Sequence, residues 1–443
     1  MKFTLFTLLI IGLTAGTAFC QVNQFDTTKL YPAEALRADF RFLRNMLQKT
    51  HPNLYLYTSR NKMNAFFDSL NQSITGPRTL FNFYNLVTLL NDKIKDGHTI
   101  MLPPEEASAY FRASCKFLPF YFIVVNNRLF VRMNCSSDTL IKSGIEIISI
   151  NNIPASGIVS NLVKRQIRDG YSEAYPQWIL SNYFKEYYGF HFGHPDSFYI
   201  SYKNRDASFT TSVIRALSRD SINLLQKERY QDKKPKEGQG ITLAFDTIAH
   251  SAILTIRSLD SELLKTVYNQ EYIPVFDSLF MVLHNYKTNR VILDMRDNQG
   301  GDFECGRRLL SFLVNQPLDY LPGSKEYERI KPNLLHYKGP LIVLVNGGTF
   351  SNAAIVSAYL QHDRKASIIG EESAGNKTIL SGDPVEVTLP NTKIIVEISS
   401  TKYIIKNRPN DGHGIIPNHK ITPSVEDIIM NRDVVKDYAL KLE

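Results

Sequence analysis

The strongest constraint on the fold is an alternation of short apolar runs with helical patterns after residue 240. The apolar runs are bounded by turn signals, and helical stretches such as 304–314 and 351–362 lie between them. Continuous apolar strands that alternate with helices indicate a parallel sheet covered on both faces. The predicted strands occupy residues 251–256, 290–295, 340–345 and 366–370.

Two regions of different character precede this part of the chain. Residues 32–95 carry apolar side chains at helical spacing, and Gly97 is expected to stop the last helix just before His98. Residues 116–215 are β-rich and include a hairpin that turns at Asn126 and Asn127. The aromatic segment 174–193 is predicted to be a helical insertion whose rings pack in a core.

Ser351 stands where the apolar run 340–345 has broken into two glycines and an Ala-rich helix begins. One interpretation is a helix N-cap, because a serine oxygen can accept a free backbone N–H. The other is a nucleophile, because a helix N-terminus favours developing negative charge. Ile355, Ala358 and Tyr359 form an inward stripe on this helix. The serine is therefore expected above the strand ends, where catalytic groups of such sheets collect.

The composition of the 443-residue chain is that of a globular protein with two or three domains. It is 43% hydrophobic and 21% charged, with a formal net charge of +8. The basic run 233–240 also contains Pro and Gly and lacks interleaved aromatic residues. We interpret it as a solvated linker, so no nucleic-acid partner is expected.

The first twenty residues have the pattern of a secretory signal peptide. One Lys precedes a short apolar stretch, small residues follow, and cleavage is expected before Gln21. A membrane anchor and a lipid-modified Cys20 are the alternatives. No other stretch is apolar enough to span a bilayer, so stable membrane insertion is not expected after the signal is removed.

Three cysteines remain after that cleavage. Cys115 and Cys135 flank the predicted hairpin and could form a disulfide in an oxidising compartment, which would leave Cys305 free and buried. Their spacing contains no CxxC pair, so no zinc site is expected.

Four stretches agree in wording, order and spacing with one protein family. They are VILDMRDNQGG, VLVNGGTFSNAA, ASIIGEESAGN and DGHGIIPN, and together they resemble the S41 family of serine peptidases, the C-terminal processing and tricorn-core enzymes. The stretch SGIEIISINNIPAS resembles the PDZ-like module of that family. The resemblance implies a multidomain α/β protein with a ClpP/crotonase-like core. The expected regions are a signal peptide (1–20), an N-terminal helical region (21–104), a PDZ-like module (105–216), a linker (217–240) and a catalytic domain (241–443).

By this resemblance Ser351 falls on the family's nucleophile. One branch of the family activates the serine with a lysine, but Asn376 stands at that position here and Lys377 comes one residue late. The tricorn-like branch uses a distant histidine and a downstream acid, which His98 and Asp411 would supply. Gly97 stands where tricorn-core enzymes have a serine.

Alternatives remain open for both partners of the serine. His98 could be a helix-end residue, and Asp411 could only shape the NDG turn. Glu371 and Glu397 are rival acids, and His413 is a rival base. The oxyanion hole would use the backbone of Asn352 together with Gly300 or Gly301, as the resemblance and close backbone approach suggest.

The expected function is that of a secreted serine endopeptidase acting on polypeptides, with no cofactor and no metal. A conventional α/β-hydrolase is excluded because Thr349 and Ala353 stand where G-x-S-x-G requires glycines. The alternative from another class is a catalytically impaired S41-fold protein that binds a peptide or another ligand.

Overall fold

The computed structural model describes residues 25–204, 206–230, 238–286, 288–405 and 409–442. The predicted signal segment, Cys20 and most of the basic run 233–240 lie outside them. Within the described part of the chain, no helix combines the length and apolarity that crossing a bilayer requires.

The N-terminal region is helical, as the periodicity predicts. Helix α1 buries Leu36, Phe40, Leu43 and Leu47 along one face. The prediction that Gly97 stops the last helix is wrong, because that helix ends at Ile94, with Lys95 at φ 55° as its cap. The elements are β1 (Leu30–Tyr31), α1 (Ala33–Thr50), α2 (Arg60–Gln72), β2 (Arg78–Thr79), α3 (Leu80–Val87), a 3-10 turn (Thr88–Leu90), α4 (Asn91–Ile94) and β3 (Ile100–Leu102).

The next region contains a six-stranded sheet of order β10-β9-β7-β6-β5, with β8 paired to β7. Asn126 and Asn127 both have positive φ at the predicted hairpin turn, which matches a type I′ loop. The elements are α5 (Glu105–Ser114), β4 (Lys116–Phe117), β5 (Phe120–Val125), β6 (Arg128–Asn134), β7 (Glu146–Ile150), β8 (Ile153–Pro154), α6 (Ala155–Arg165), α7 (Ala174–Phe192), β9 (Ser197–Lys203), β10 (Phe209–Arg215), β11 (Leu217–Ser218) and α8 (Arg219–Arg229).

Two expectations for this region are corrected. The first half of the predicted linker 217–240 is the helix α8, which Ser218 caps by accepting the Ser221 N–H. Cys115 and Cys135 are free thiols buried in one apolar cluster, and Cys305 is also free and buried. The assignment of the region as PDZ-like stays a prediction.

The C-terminal region contains the predicted parallel sheet. Its order is β12-β13-β14-β17-β18-β21, and only the edge strand β12 runs antiparallel to its neighbour. The elements are β12 (Ile241–Asp246), β13 (Ser251–Ile256), α9 (Ser261–Tyr268), α10 (Tyr272–Asn285), β14 (Arg290–Asp294), α11 (Phe303–Leu313), β15 (Leu318–Tyr320), β16 (Glu328–Ile330), β17 (Leu341–Val345), α12 (Ser351–His362), β18 (Ser367–Gly370), β19 (Ile379–Thr388), β20 (Ile395–Ile404), β21 (His419–Lys420), α13 (Val425–Ile429) and α14 (Val434–Lys441).

Both faces of this sheet are covered. One face packs against α10, α11 and α12, and the other face packs against α14. Strand β17 is buried along its whole length, as expected for a central parallel strand.

A three-stranded sheet of order β19-β20-β3 joins the N-terminal region to the C-terminal region. Val396 of β20 pairs with Met101 of β3 and lies in the same apolar cluster as the N-terminal helices. The segment that carries His98 is therefore fixed to the C-terminal region by main-chain pairing.

Candidate active site

Ser351 is the first residue of α12 and follows the carboxyl end of β17. Its side chain makes no capping bond, and Phe350 occupies the cap position, so the capping interpretation is wrong. The backbone of Ser351 has φ 49°, a conformation that a non-glycine residue adopts only where its surroundings impose it. Several turn residues such as Asn126 and Asn127 also have positive φ, so the conformation supports a functional role only together with the contacts of the side chain.

His98 lies beside the serine. Its Nε2 atom is 3.0 Å from the Ser351 Oγ atom, although 253 residues separate them, and both residues are buried. Burial lowers the pKa of His98 below its usual value, while the neighbouring Asp96 opposes that shift. The imidazole is therefore neutral near pH 7 and can accept the hydroxyl proton.

An aromatic stack holds the imidazole in place. The His98 ring stacks on Phe350 with centroids 4.7 Å apart, and Phe350 stacks on Tyr175 at 4.4 Å. A Cβ at Gly97 would come within 2.6 Å of the Phe350 ring and 2.9 Å of the Asp169 Oδ1 atom. This crowding explains why glycine stands where the tricorn-core pattern has serine.

The structure does not bring Asp411 to His98, which corrects the prediction that Asp411 is the orienting acid. Asp411 Oδ2 lies 2.7 Å from the Lys377 Nζ atom, and 54% of the Asp411 side chain is exposed whereas His98 is buried. The NDG turn directs the carboxylate of Asp411 towards the surface, where it pairs with the ammonium group of Lys377.

The rival groups also have other partners. Glu397 stands opposite Glu386 across the β19-β20 pair, and Glu371 hydrogen-bonds Thr422. The His413 Nδ1 atom pairs with Glu372 Oε1 at 3.1 Å.

Two buried carboxyl groups lie near the imidazole instead. Asp96 Oδ1 accepts the backbone N–H groups of His98 and Thr99 and the Ser399 hydroxyl. Burial by itself would raise the pKa of Asp96, but the His51 imidazole, whose Nε2 lies 3.1 Å from Asp96 Oδ2, holds that pKa below its ordinary value. The second carboxyl, Asp169, accepts the Gly97 N–H at 2.8 Å.

The lysine position of the other family branch is filled by a buried asparagine. The Asn376 side chain donates to Tyr57 and Asn410 and accepts from Thr378. Lys377 points instead to Asp411. A lysine base at Ser351 is therefore not formed.

Of the predicted oxyanion residues, Gly300 and Asn352 adjoin the serine, whereas Gly301 packs against Leu259 and Asp260. A Cβ at Gly300 would lie 2.7 Å from the Ser351 Cβ atom, but the Gly300 N–H already donates to the Asn298 Oδ1 atom. Gly301 pairs with Leu259 in a parallel bridge that leaves its own N–H unused. The Asn352 N–H belongs to the first turn of α12, where amides lack helical partners. Among the predicted oxyanion residues, the N–H groups of Asn352 and Gly301 are those with no backbone acceptor in the described part of the chain.

Within the described residues, one group could offer three ligand atoms to a cation. Asp96, His98 and Asp169 each place one such atom within 4.8 Å of the others. Asp96 already accepts several donors, and His98 faces Ser351 through Nε2. The arrangement therefore suits proton transfer better than metal binding.

Sequence reasoning missed His51, Asp96, Asp169 and Phe350. Asp96 stands two residues before His98 and could have been weighed as a local support. Asp169 gives no signal of its own, because it comes from a loop between α6 and α7 that only tertiary packing brings to Gly97.

A strained serine at a helix mouth that hydrogen-bonds a buried neutral imidazole is the arrangement of serine hydrolases. Residues 254–423 match the model of peptidase family S41. It is 30% identical to carboxyl-terminal-processing peptidase 2, chloroplastic, of Arabidopsis thaliana, over 26% of this chain and 24% of the relative. It is 33% identical to carboxy-terminal processing protease CtpA of Bacillus subtilis, over 20% of each chain.

The alignments span about a quarter of the length of these curated relatives. A solved structure of mature CPAF covers 92% of this chain and 96% of its own, with a TM-score of 0.66 and 13% identity. That likeness establishes the multidomain α/β fold across nearly the whole chain.

Proposed function

We propose that this protein is an exported serine endopeptidase that cleaves polypeptides through an acyl-enzyme on Ser351. The observation that carries the proposal is the 3.0 Å contact between His98 Nε2 and Ser351 Oγ. His98 takes the hydroxyl proton as Oγ bonds to the scissile carbonyl carbon. The imidazolium then gives that proton to the departing amine as the C–N bond breaks. A water molecule, deprotonated by His98, releases the acyl group and restores the serine.

The developing oxyanion would be held by backbone amides. Asn352 supplies one N–H at the start of α12, where the helix dipole favours negative charge. Gly301 supplies the other, while Gly300 lets its backbone approach the serine closely. Removing one such donor typically lowers kcat by about 10²–10³-fold.

The test combines active-site labelling with digestion of peptides. A fluorophosphonate probe should label wild-type protein but not Ser351→Ala, and mass spectrometry should find cleaved peptides only with wild type. Folding of the variant is checked by thermal melting. Cleavage by Ser351→Ala at the wild-type rate would refute the nucleophile, and a folded wild-type protein that binds peptides without labelling or cleavage would be the binding protein of the alternative hypothesis.

The β-rich region 105–216 is proposed to engage the substrate chain as a PDZ-like module. Strand β10 is an edge of its sheet, and a peptide can add to such an edge through main-chain hydrogen bonds. Phe209 and Val213 on this strand are largely exposed. Replacing both with Ser in the full chain should raise KM for peptides and leave fluorophosphonate labelling intact; an unchanged KM would refute this role.

Export is proposed from the first twenty residues. N-terminal sequencing of the protein released from producing cells should begin at Gln21. A mature protein that retains Met1 would refute this processing.

A further inference from the structure

One nitrogen of the proposed base is buried without a partner. His98 Nε2 faces the Ser351 hydroxyl, and no hydrogen-bond partner reaches its Nδ1 atom among the residues that the structure describes. A buried polar atom that is left unpaired is costly, and native proteins usually satisfy it with protein or water. A general base also needs its second nitrogen protonated and held, because that fixes the tautomer which leaves Nε2 free.

Two carboxyl groups lie close to this imidazole, but only one of them has an oxygen that is free to accept another short hydrogen bond. An oxygen of Asp96, an oxygen of Asp169 and a ring nitrogen of His98 all lie within 4.8 Å of one another. Asp96 already accepts three donors on Oδ1 and pairs with His51 through Oδ2 at 3.1 Å. Asp169 accepts the Gly97 N–H on Oδ1 and only a long 3.4 Å contact from the Asn376 N–H on Oδ2.

The separation suits a bridging water. No direct hydrogen bond reaches His98 Nδ1, and one water can span a separation of up to 4.8 Å at about the enthalpy of a direct bond. A small polar cavity of about 10 Å³, about the room that one water needs, is lined by Asp96 and Asp169. His98 does not line it, but a ring nitrogen of His98 lies within 4.8 Å of an oxygen of each carboxyl group. His51, Asn53 and Tyr57 line the same cavity.

We propose that Asp169 is the positioning residue behind His98, and that it holds the Nδ1–H through one bridging water in the place that Asp411 was expected to fill. The inference rests on the proposed function. The orienting carboxyl then comes from the loop between α6 and α7, which belongs to the β-rich region. That region therefore supports the base, His98, which lies on the N-terminal segment.

Backbone contacts hold Asp169 firmly in this position. The N–H of Gly170 donates to the Lys95 carbonyl at 3.0 Å, and the N–H of Tyr171 donates to the Gly412 carbonyl at 2.7 Å. Gly170 has φ 75°, and a Cβ there would lie 2.1 Å from the Gly412 oxygen. The loop is thus fixed between the segment before His98 and the turn after Asp411.

The charge of Asp169 gives the proposal a distinctive signature. Burial, and then the nearby Asp96 carboxylate, raise the pKa of Asp169 to about 8. Neutral Asp169 can still accept a hydrogen bond from the water, but only the ionised form stabilises an imidazolium. The titratable groups that face it are Asp96, His51, His98, Lys95, Tyr57 and Tyr175.

The test measures kcat/KM for a peptide between pH 6 and 9.5. Wild type should gain about tenfold between pH 7 and 9, as ionisation of one group near pH 8 implies. Asp169→Asn, which is neutral at every pH, should lose this rise. Asp196→Asn, a surface change in the same region, should keep it.

A rise that persists in folded Asp169→Asn would overturn the positioning role. A wild-type profile with its inflection near pH 6 and none near pH 8 would overturn it too, even if the variant fails to fold. Absence of both cleavage and fluorophosphonate labelling in folded wild type would overturn the proposed function together with this inference. Failure of the positioning role alone leaves Ser351 labelling and peptide cleavage intact.

Discussion

Gly300 lies directly against Ser351, so that a Cβ built on Gly300 would be 2.7 Å from the Ser351 Cβ atom and 2.8 Å from the Asn352 nitrogen. Gly300 also has φ 90°, which favours glycine. The backbone of this loop and the mouth of α12 therefore fit together only if no side chain stands at this position.

Gly300→Ala should abolish most of the proposed peptidase activity, because the added methyl group displaces either the serine or the Asn352 amide. We expect a loss of about 10²-fold or more in kcat, comparable to the loss of an oxyanion donor. The matched control is Gly157→Ala in α6, where no atom outside the adjacent residues and the backbone of its own helix lies within 4 Å of the added Cβ. Near-wild-type hydrolysis by Gly300→Ala would contradict the close fit.

His98→Ala and Lys377→Ala should have opposite outcomes in peptide hydrolysis. Loss of His98 removes the group in contact with Ser351 and should lower kcat/KM on the order of 10³-fold. Loss of Lys377 breaks only the pair with Asp411, whose side chain is half exposed, and should change the rate less than about twofold. Asp411→Asn should be as mild as Lys377→Ala. A large loss for Lys377→Ala with a normal rate for His98→Ala would move the chain to the lysine branch.

The stability of the protein should respond to Asp169 in a direction set by its raised pKa. The folded state binds a proton at Asp169 up to about pH 8, whereas an unfolded aspartate releases it near pH 4. This group therefore lowers the free energy of unfolding as the pH rises from about 4 to 8. Asp169→Asn should have a higher Tm than wild type at pH 9, with a smaller difference at pH 5. Equal Tm differences at the two pH values would contradict the raised pKa.

Asp96 should have the opposite effect on stability: its contribution to the free energy of unfolding should fall as the pH is lowered. Its pKa is depressed in the folded state by the His51 partner, against the effect of burial, so its stabilisation is present above about pH 4 and is lost as the pH falls. Asp96→Asn should therefore lower the Tm at pH 7, and the difference from wild type should shrink towards pH 2. A difference that does not change with pH would contradict the pairing.

The closing helix α14 should depend on one charged network for its attachment. Arg296 donates to Asp294 through Nε and Nη2 and to Asp433 through Nη1 and Nη2, and Asp433 also caps α14. Asp433→Ala should lower the free energy of unfolding by about 2 kcal/mol, as for charged hydrogen bonds in partly buried sites. Asp437→Ala, on the exposed face of α14, is the control. Equal effects of the two variants in urea unfolding would show that the network does not contribute to the free energy of unfolding.

The sequence predicts those elements whose own residues carry a periodic signal. Strand β17 is a continuous apolar run, and Asn126 with Asn127 adopts the positive φ that a tight hairpin requires. Helix α8 was missed because it lies in a segment rich in charged and polar residues, with Ile222 as its only fully buried side chain.

The partners of the imidazole could not be predicted in the same way. Ser351 and His98 lie in recognisable sequence motifs. Whether Asp411 or Asp169 orients the imidazole depends instead on which loop reaches Gly97. That choice is made by tertiary contacts of the region 105–216, including the Gly170 bond to Lys95. A local turn pattern such as NDG contains no information about such distant contacts.

The pairing of β3 with β20 has a consequence for how the protein folds during its synthesis. During synthesis the segment with His98 emerges hundreds of residues before its strand partner, and such non-local pairing forms late because a long loop must close first. A growing chain therefore contains neither an assembled base nor the helix mouth that bears the serine. Any peptidase activity would therefore arise only after β20 has been synthesised, so shorter nascent chains should be inactive.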